Sequence, residues 1–99
     1  MGIDDFDGNF LLTGTVYPLT ALTSIGRSPT NSIPIDDNFA SSEHALVALR
    51  NGQWWLEDRS SRNGTLLNGM QVTQPVIVTD GDIITIGKIA LRIDLDSST

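Results

Sequence analysis

Residues 58–69, with the sequence DRSSRNGTLLNG, hold the side chains of this chain that are best suited to contacting an anion. Two Asn-Gly pairs begin at Asn63 and Asn68, and Arg62 directly precedes the first pair. Asn-Gly enters left-handed backbone conformations at little cost and is therefore typical of tight hairpin turns. Arginine and asparagine side chains at such a turn also present several hydrogen-bond donors, which suit an anion. The segment therefore favours one of two roles, a hairpin turn or an anion-binding loop.

The positive charge of the chain is concentrated around this segment. The sequence has 6 Lys and Arg residues against 12 Asp and Glu residues, which gives a formal net charge of −6. Arg50, Arg59 and Arg62 lie close together in sequence, Arg27 follows a glycine further upstream, and Lys88 is the only lysine. General nucleic-acid binding needs Lys and Arg spread along a polyanion, so we predict no nucleic-acid partner. The pattern fits one discrete anion better.

The composition excludes several kinds of catalytic and metal site. The chain has no cysteine and one histidine, His44, so it offers neither a Cys/His zinc site nor a cysteine nucleophile. Ser41 and His44 stand in a Ser-x-x-His arrangement, which could belong to a nucleophilic hydrolase. No glycine elbow accompanies this pair. We therefore predict that the protein is not an enzyme and that it uses neither a metal nor a cofactor.

The elements that must position these residues are short β-strands. Runs of β-branched and apolar residues alternate with turn residues, and no window has the periodicity of a long helix. The predicted strands cover residues 15–17, 22–25, 45–49, 54–56, 76–78, 83–86 and 89–95. Their spacing is typical of an all-β sandwich or barrel. The clearest predicted hairpin joins residues 45–50 to residues 53–58 through the pair Asn51-Gly52.

The length of 99 residues fits one domain. Residues 1–8 are acidic and residues 96–99 are polar, so we predict that both segments are flexible around a domain of residues 9–95, itself part of a longer protein. No apolar run is long enough to span a bilayer, and the acidic N-terminus lacks the basic start of a secretory signal. With the absence of cysteine, these features predict a cytoplasmic protein without a membrane partner.

Three motifs follow one another in a fixed order along the chain. A Gly-Arg pair ends the strand predicted at residues 22–25, a Ser-x-x-His motif occupies residues 41–44, and Asp-x-x-Ser-x-Asn-Gly-Thr-x-x-Asn-Gly occupies residues 58–69. In this order and spacing, they resemble the forkhead-associated (FHA) domain family over most of the chain. The resemblance implies a sandwich of two twisted, largely antiparallel sheets with about eleven strands and binding loops at one end. It also implies binding of a Thr-phosphorylated protein or peptide, linked to a Ser/Thr kinase, without catalysis.

The resemblance also implies a role for each motif residue. The phosphopeptide-binding residues would be Arg27, Ser41, Ser42, Arg62, Asn63 and Asn68. The structural supports of the site would be Gly26, His44, Asp58 and Gly64. Within the first set, Arg27 and Ser41 would hold the phosphate oxygens, Arg62 would contribute beside them, and Asn63 would bind the peptide main chain. Asn68 would hold either the peptide or its own loop.

Two positions depart from the family pattern. Ser42 stands where the family often has Arg or Asn, so we expect the affinity to depend more on Arg27 and Arg62. Phe39 stands where some relatives carry a charged residue that selects an acidic peptide side chain. We therefore expect this chain to prefer an apolar residue, or to show little preference, about three positions after the phosphothreonine.

A second functional class remains open from the sequence. The alternative to phosphopeptide binding is a phospho-independent scaffold or oligomerisation domain that uses a sheet face. This alternative requires exposed apolar side chains to form a contiguous patch. Trp54 and Trp55 are adjacent on a predicted strand and must point to opposite faces, so we expect one in the core and the other partly exposed.

Overall fold

The computed structural model of the chain describes residues 8–12 and 15–95. These residues form eleven β-strands and no helix. The strands are β1 (Gly8–Leu12), β2 (Thr15–Pro18), β3 (Leu22–Gly26), β4 (Ile33–Pro34), β5 (Ala45–Arg50), β6 (Gln53–Asp58), β7 (Leu66–Leu67), β8 (Met70–Gln71), β9 (Val76–Val78), β10 (Ile83–Ile86) and β11 (Ile89–Leu95). The predicted all-β architecture is confirmed.

The strands form two sheets. One sheet has six strands in the order β2-β1-β11-β10-β7-β8, and the other has five strands in the order β4-β3-β5-β6-β9. The short pairing of β3 with β4 is parallel, and the other described pairings are antiparallel. The two largely antiparallel sheets predicted from the family resemblance are therefore confirmed.

The seven predicted strands correspond to β2, β3, β5, β6, β9, β10 and β11, whereas β1, β4, β7 and β8 were not predicted. The predicted hairpin joins β5 to β6 in the expected register, with Arg50 opposite Gln53. Asn51 and Gly52 have φ angles of 52° and 78°, so both turn residues take the left-handed conformation that a tight hairpin of this kind requires.

Buried and exposed residues alternate along the strands, so that one face of each sheet faces the core and the other faces outward. On β11, Leu91 and Ile93 are fully buried, whereas Ala90, Arg92 and Asp94 are exposed. Residues of both sheets form one apolar core. It comprises Leu19, Ile25, Ile33, Ile35, Ala40, Ala45, Val47, Trp54, Leu56, Val72, Val78, Ile84, Ile86, Leu91 and Ile93. The burial of these side chains provides the main driving force for folding and fixes the ends of the strands that carry the loops.

The predicted boundaries at the two ends have different outcomes. Gly8, which was assigned to a flexible segment, begins β1 and pairs with Leu95 in the ladder with β11. The remainder of the predicted flexible ends, residues 1–7 and 96–99, lies outside the described residues, so that prediction stays a prediction. Within the described part of the chain, no helix is long and apolar enough to cross a bilayer.

Candidate functional site

Three loops meet at one end of the sandwich and form a polar cleft. They connect β3 to β4, β4 to β5, and β6 to β7. The cleft has a volume of about 260 Å³ and is lined by Arg27, Asn38, Phe39, Ala40, Ser41, Ser42, Arg62 and Asn63. The structure therefore brings together five of the six predicted phosphopeptide-binding residues.

Backbone hydrogen bonds place Arg27 beside the two serines. The Arg27 N–H donates to the Ser41 carbonyl over 2.9 Å, and the Ser28 N–H donates to the Ser42 carbonyl over 3.2 Å. Asn31 adds side-chain bonds from Nδ2 to the Ser42 carbonyl over 2.7 Å and to the Ser28 carbonyl over 2.8 Å. Asn31 was not predicted as a site residue, since an asparagine in a loop rich in Ser and Pro is typical of a turn. Its two side-chain bonds join the β3–β4 loop to the β4–β5 loop, and Asn31 is buried between them.

Gly26 is needed at this junction because the loops approach one another closely. A Cβ atom on Gly26 would lie 2.3 Å from the Ser42 carbonyl oxygen and 2.9 Å from Asn31 Nδ2. Real Cβ atoms essentially never come within 3.0 Å of another heavy atom in this way. The absence of a side chain at Gly26 therefore lets the loop that carries the serines sit directly against the end of β3.

His44 joins the serine loop to the β6–β7 loop. Its ring is fully buried; Nδ1 accepts the Ser41 N–H over 2.9 Å, and Nε2 lies 2.8 Å from the Gly64 carbonyl. A carbonyl only accepts, so Nε2 must carry a proton while Nδ1 must not. These two bonds assign the neutral Nε2–H tautomer and make His44 a brace, which suits the supporting position predicted for it.

Ser41 and Arg62 are coupled across the cleft. The Ser41 hydroxyl oxygen accepts the Arg62 N–H over 3.0 Å. Among the described residues, the Ser41 hydroxyl proton has no acceptor, so the hydroxyl can donate to a ligand while it holds the Arg62 backbone.

Asn63 connects the β6–β7 loop to the β4–β5 loop. Its Nδ2 donates to the Phe39 carbonyl over 2.8 Å. Its Oδ1 accepts no bond from the described residues, and the side chain is exposed at the cleft. One end of the Asn63 amide thus fixes the loop, and the other end is available to an N–H group of a ligand.

Asp58 holds the β6–β7 loop in shape from within. Its carboxylate accepts the Ser61 N–H over 3.1 Å, the Ser61 hydroxyl over 2.5 Å and the Thr65 hydroxyl over 2.7 Å. Burial raises the pKa of this carboxyl, but the bonds from Ser61 and Thr65 together outweigh burial and leave the pKa below its usual value. The Ser61 hydroxyl in turn accepts the Gly64 N–H over 3.0 Å. Asp58 is therefore a structural support that does not line the cleft.

The charges at the cleft suit an anion. Arg27 and Arg62 are both exposed, and within the described residues neither forms an ion pair with a carboxylate. Arg59 instead pairs with Glu57 over 3.4 Å and does not line the cleft. Because their charge is not neutralised by a neighbouring carboxylate, the two guanidinium groups can both act on an anion in the cleft.

A second cleft adjoins the first. It has a volume of about 360 Å³ and is lined by Phe39, Asn63, Gly64, Leu66, Gln71, Thr85, Gly87 and Lys88. Phe39 and Asn63 line both clefts, so these two side chains form a shared wall. Phe39 was the one lining residue that the sequence connected with a peptide side chain. The pocket itself was not predicted, because its lining residues come from segments far apart in the chain.

Asn68, for which the sequence left a role in holding either the peptide or its own loop, does not line the anion cleft. Its Nδ2 donates to Asp82 Oδ1 over 3.0 Å, and its Oδ1 accepts the Ile83 N–H over 2.9 Å. Its φ of 51° is left-handed. Because both ends of the amide are engaged next to β10, the contacts support the role in holding the loop.

No group of three or more His, Cys, Asp or Glu side chains in residues 8–12 and 15–95 has an arrangement that could hold a metal ion. The polar side chains that line the described cleft offer hydrogen bonding and charge attraction from Arg, Ser and Asn. The Ser41 hydroxyl is the possible nucleophile of the Ser-x-x-His arrangement, but His44 is not free to act on it as a base. Both ring nitrogens of His44 are engaged in contacts with the Ser41 N–H and the Gly64 carbonyl.

Comparison with known proteins identifies relatives of this arrangement. The family model of the FHA domain matches residues 23–87. The FHA domain-containing protein FhaB of Mycobacterium tuberculosis is 38% identical over 69 residues, which cover 70% of this chain and 44% of FhaB. The chain thus spans less than half the length of that curated relative.

Solved structures share the fold. M. tuberculosis EmbR in complex with a low affinity phosphopeptide superposes with a TM-score of 0.86 at 27% identity, covering 93% of this chain and 25% of EmbR. A structure from an analysis of phosphothreonine-dependent FHA domain interactions gives a TM-score of 0.84 at 26% identity, covering 90% of this chain and 96% of the other.

Proposed function

The chain belongs to the FHA domain family, and we propose that it is a phosphothreonine-peptide recognition module that mediates phosphorylation-dependent protein–protein interaction. One observation carries the proposal. Arg27, Arg62 and Ser41 line the same cleft. Among the described residues, neither arginine has a carboxylate partner and the serine hydroxyl proton has no acceptor. A phosphothreonine ligand requires a Ser/Thr kinase to produce it, which places the domain in kinase signalling. The module has no catalytic task, and we propose that it acts in the cytoplasm.

The phosphate would be held by Arg27, Ser41 and Arg62. Phosphothreonine carries about −1.5 to −2 charges and three strong acceptor oxygens, and a guanidinium can meet two of these oxygens at once. Hydrogen bonds to charged groups contribute about 1.5–3 kcal/mol each. Three or four such bonds, less the cost of ordering the peptide, give about 8 kcal/mol, which corresponds to micromolar affinity.

The peptide main chain would be held by Asn63. Its Nδ2 is fixed to the Phe39 carbonyl, so its Oδ1 is presented at the cleft in a set orientation. A bond to the backbone of an extended peptide adds affinity without selecting a side chain. Ser42 lines the same cleft and can donate its hydroxyl at the rim.

The second cleft would accept a peptide side chain beyond the phosphothreonine. Phe39 and Leu66 supply exposed apolar surface there, at 50% and 36% exposure. We therefore propose that the cleft favours an apolar residue about three positions after the phosphothreonine. Strong enrichment for Asp at that position in a degenerate phosphopeptide array would contradict this preference.

Replacement of Arg27 tests the site. Arg27→Ala removes one guanidinium and should weaken binding of a Thr-phosphorylated peptide by about 1.5–3 kcal/mol, because charged hydrogen bonds to the phosphate are lost. The matched control is Arg92→Ala, which removes the same charge from the outer face of β11. Isothermal titration calorimetry should show the loss for Arg27→Ala alone. Equal affinities of the two variants would refute the assignment.

One observation favours the second candidate function, a sheet-face scaffold. Leu22, Ala48, Trp55 and Ile77 are successive cross-strand partners on β3, β5, β6 and β9. Leu22 is 62% exposed, Ile77 is 40% exposed and Trp55 is half-buried, whereas Trp54 is in the core. This apolar row is suited to isologous contact between two copies of the chain. A sedimentation coefficient that rises with protein concentration and no longer does so in Leu22→Glu would support it; a constant coefficient would exclude it.

A further inference from the structure

Phe39, which forms the shared wall of the two clefts together with Asn63, is held from three sides. Its N–H donates to Asp37 Oδ1 over 2.7 Å, and its carbonyl accepts Asn63 Nδ2 over 2.8 Å. A Cβ atom on Gly87 would lie 3.0 Å from Phe39 Cβ, so the backbone of Gly87 packs directly against the base of the side chain. The half-exposed ring is thus positioned by contacts to its own backbone and Cβ.

Asp37 joins two segments that are distant in sequence. While Oδ1 accepts the Phe39 N–H, Oδ2 accepts the Lys88 N–H over 3.1 Å. The carboxylate therefore connects the β4–β5 loop to the β10–β11 turn. Gly87 makes this contact feasible, because a Cβ at that position would lie 2.6 Å from Asp37 Oδ1, and its φ of 60° is left-handed.

The contacts that hold the phosphate side of the site are separate from these. Ser41 is fixed by the Arg27 N–H, the Arg62 N–H and His44 Nδ1. Neither Asp37 nor Gly87 takes part in those bonds. A change at Asp37 or Gly87 should therefore move the wall between the clefts and leave the phosphate contacts in place.

We propose that Asp37 and Gly87 are positioning residues that fix Phe39 and thereby determine which peptide side chain the second cleft accepts. This inference rests on the proposed function, since it concerns the selectivity of the same peptide site. Asp37 acts through Phe39, whereas Gly87 packs against Phe39 and also lines the second cleft itself. Neither residue lines the anion cleft, so both contribute little to phosphate recognition.

The experiment compares Asp37→Asn with Asp36→Asn. An amide at position 37 can accept only one of the two N–H groups and presents its own N–H₂ to the other. Asp36 is exposed, loses the same charge in its variant and makes no side-chain hydrogen bond to the described residues. Gly87→Ala disturbs the same contact from the opposite side and serves as the second variant.

The probes are phosphothreonine peptide mixtures, degenerate elsewhere, with either Ile or Ala fixed three positions after the phosphothreonine. The wild-type protein should bind the Ile mixture about fivefold more tightly, since the larger side chain buries more apolar area in an open cleft. In Asp37→Asn and Gly87→Ala this ratio should fall below about twofold. Asp36→Asn should keep the wild-type ratio.

Three readouts separate the inference from other outcomes. The preference for phosphorylated over unphosphorylated peptide should stay within about twofold of wild type in every variant. In the free protein, hydrogen exchange should be faster in Asp37→Asn at whichever of the Phe39 and Lys88 amides loses its acceptor, which measures the brace without any ligand. Equal binding of the Ile and Ala mixtures by the wild type, or an unchanged ratio in Asp37→Asn, overturns the inference alone. A parallel loss for both mixtures shows a general structural role and also overturns it. Failure of the wild type to prefer phosphorylated peptide overturns the proposed function.

Discussion

Gly26→Ala tests how tightly the phosphate side of the site is built. The new methyl carbon would lie 2.3 Å from the Ser42 carbonyl oxygen, where ordinary van der Waals contact begins at 3.4 Å. The serine loop must therefore move by about 1 Å, since a backbone carbonyl has no flexible side chain that could yield. That carbonyl accepts bonds from Asn31 Nδ2 and from the Ser28 N–H, both of which would lengthen.

These contacts set the expected cost of Gly26→Ala in stability and in affinity. Two weakened hydrogen bonds cost about 1 kcal/mol each, and overpacking by one methyl adds about 1 kcal/mol, so unfolding should become easier by about 2–3 kcal/mol. The movement also displaces Ser41 from the phosphate position. Because charged hydrogen bonds need close geometry, phosphopeptide affinity should fall about tenfold.

Urea denaturation and calorimetric titration measure the two effects. The control is Gly52→Ala in the β5–β6 turn, at the opposite end of β5 from the serine loop. A Cβ at position 52 would have open space around it, but the φ of 78° is left-handed. Gly52→Ala should therefore lower the free energy of unfolding by about 1 kcal/mol through backbone strain and leave the affinity unchanged. If Gly26→Ala lost no more stability than Gly52→Ala and bound phosphopeptide normally, the close approach would not have the role assigned to it.

Three further variants test the side chains that hold the loops in place. His44→Ala should destabilise the fold by about 2–4 kcal/mol in urea denaturation, because it opens a cavity and leaves the Ser41 N–H without its acceptor; a loss below about 1 kcal/mol would contradict the bracing role. Asn68→Ala should lower stability by about 1–2 kcal/mol and leave phosphopeptide affinity within about twofold, whereas a large loss of affinity would return Asn68 to the binding set. Asp58 has a lowered pKa in the folded state, so its contribution to stability is present above the ordinary aspartate pKa of about 3.9 and is lost as the pH falls through the folded value. The stability difference between wild type and Asp58→Asn should therefore shrink as the pH falls below about 4, and a difference that is constant with pH would contradict this.

The sequence predicted the strands that have enough residues to show a pattern. The runs that became β5, β10 and β11 are rich in β-branched and apolar residues and are bounded by turn residues. Strands β4, β7 and β8 have two residues each, which is too short for any periodicity, and Pro34 in β4 also argues against a strand. Pairing across the sheet, and not local preference, makes these residues strands.

The site was predicted where its residues stand in motifs and was missed where it depends on long-range packing. Arg27 and Asn63 belong to recognisable motifs and lie at the cleft. Asn31 and Asp37 act through bonds to distant segments, and such bonds leave no local signal in the sequence. The sequence left the role of Asn68 open, because an Asn-Gly pair has the same appearance in a ligand loop and in a structural turn.

The most direct test of the central claim is a calorimetric titration of the wild-type chain with a pair of peptides that differ only in phosphorylation of one threonine. The peptide should carry Ile three positions after that threonine, to fill the second cleft. A phosphothreonine-recognition module should bind the phosphorylated peptide with micromolar affinity and the unmodified one not measurably. Equal affinity for both peptides would contradict it.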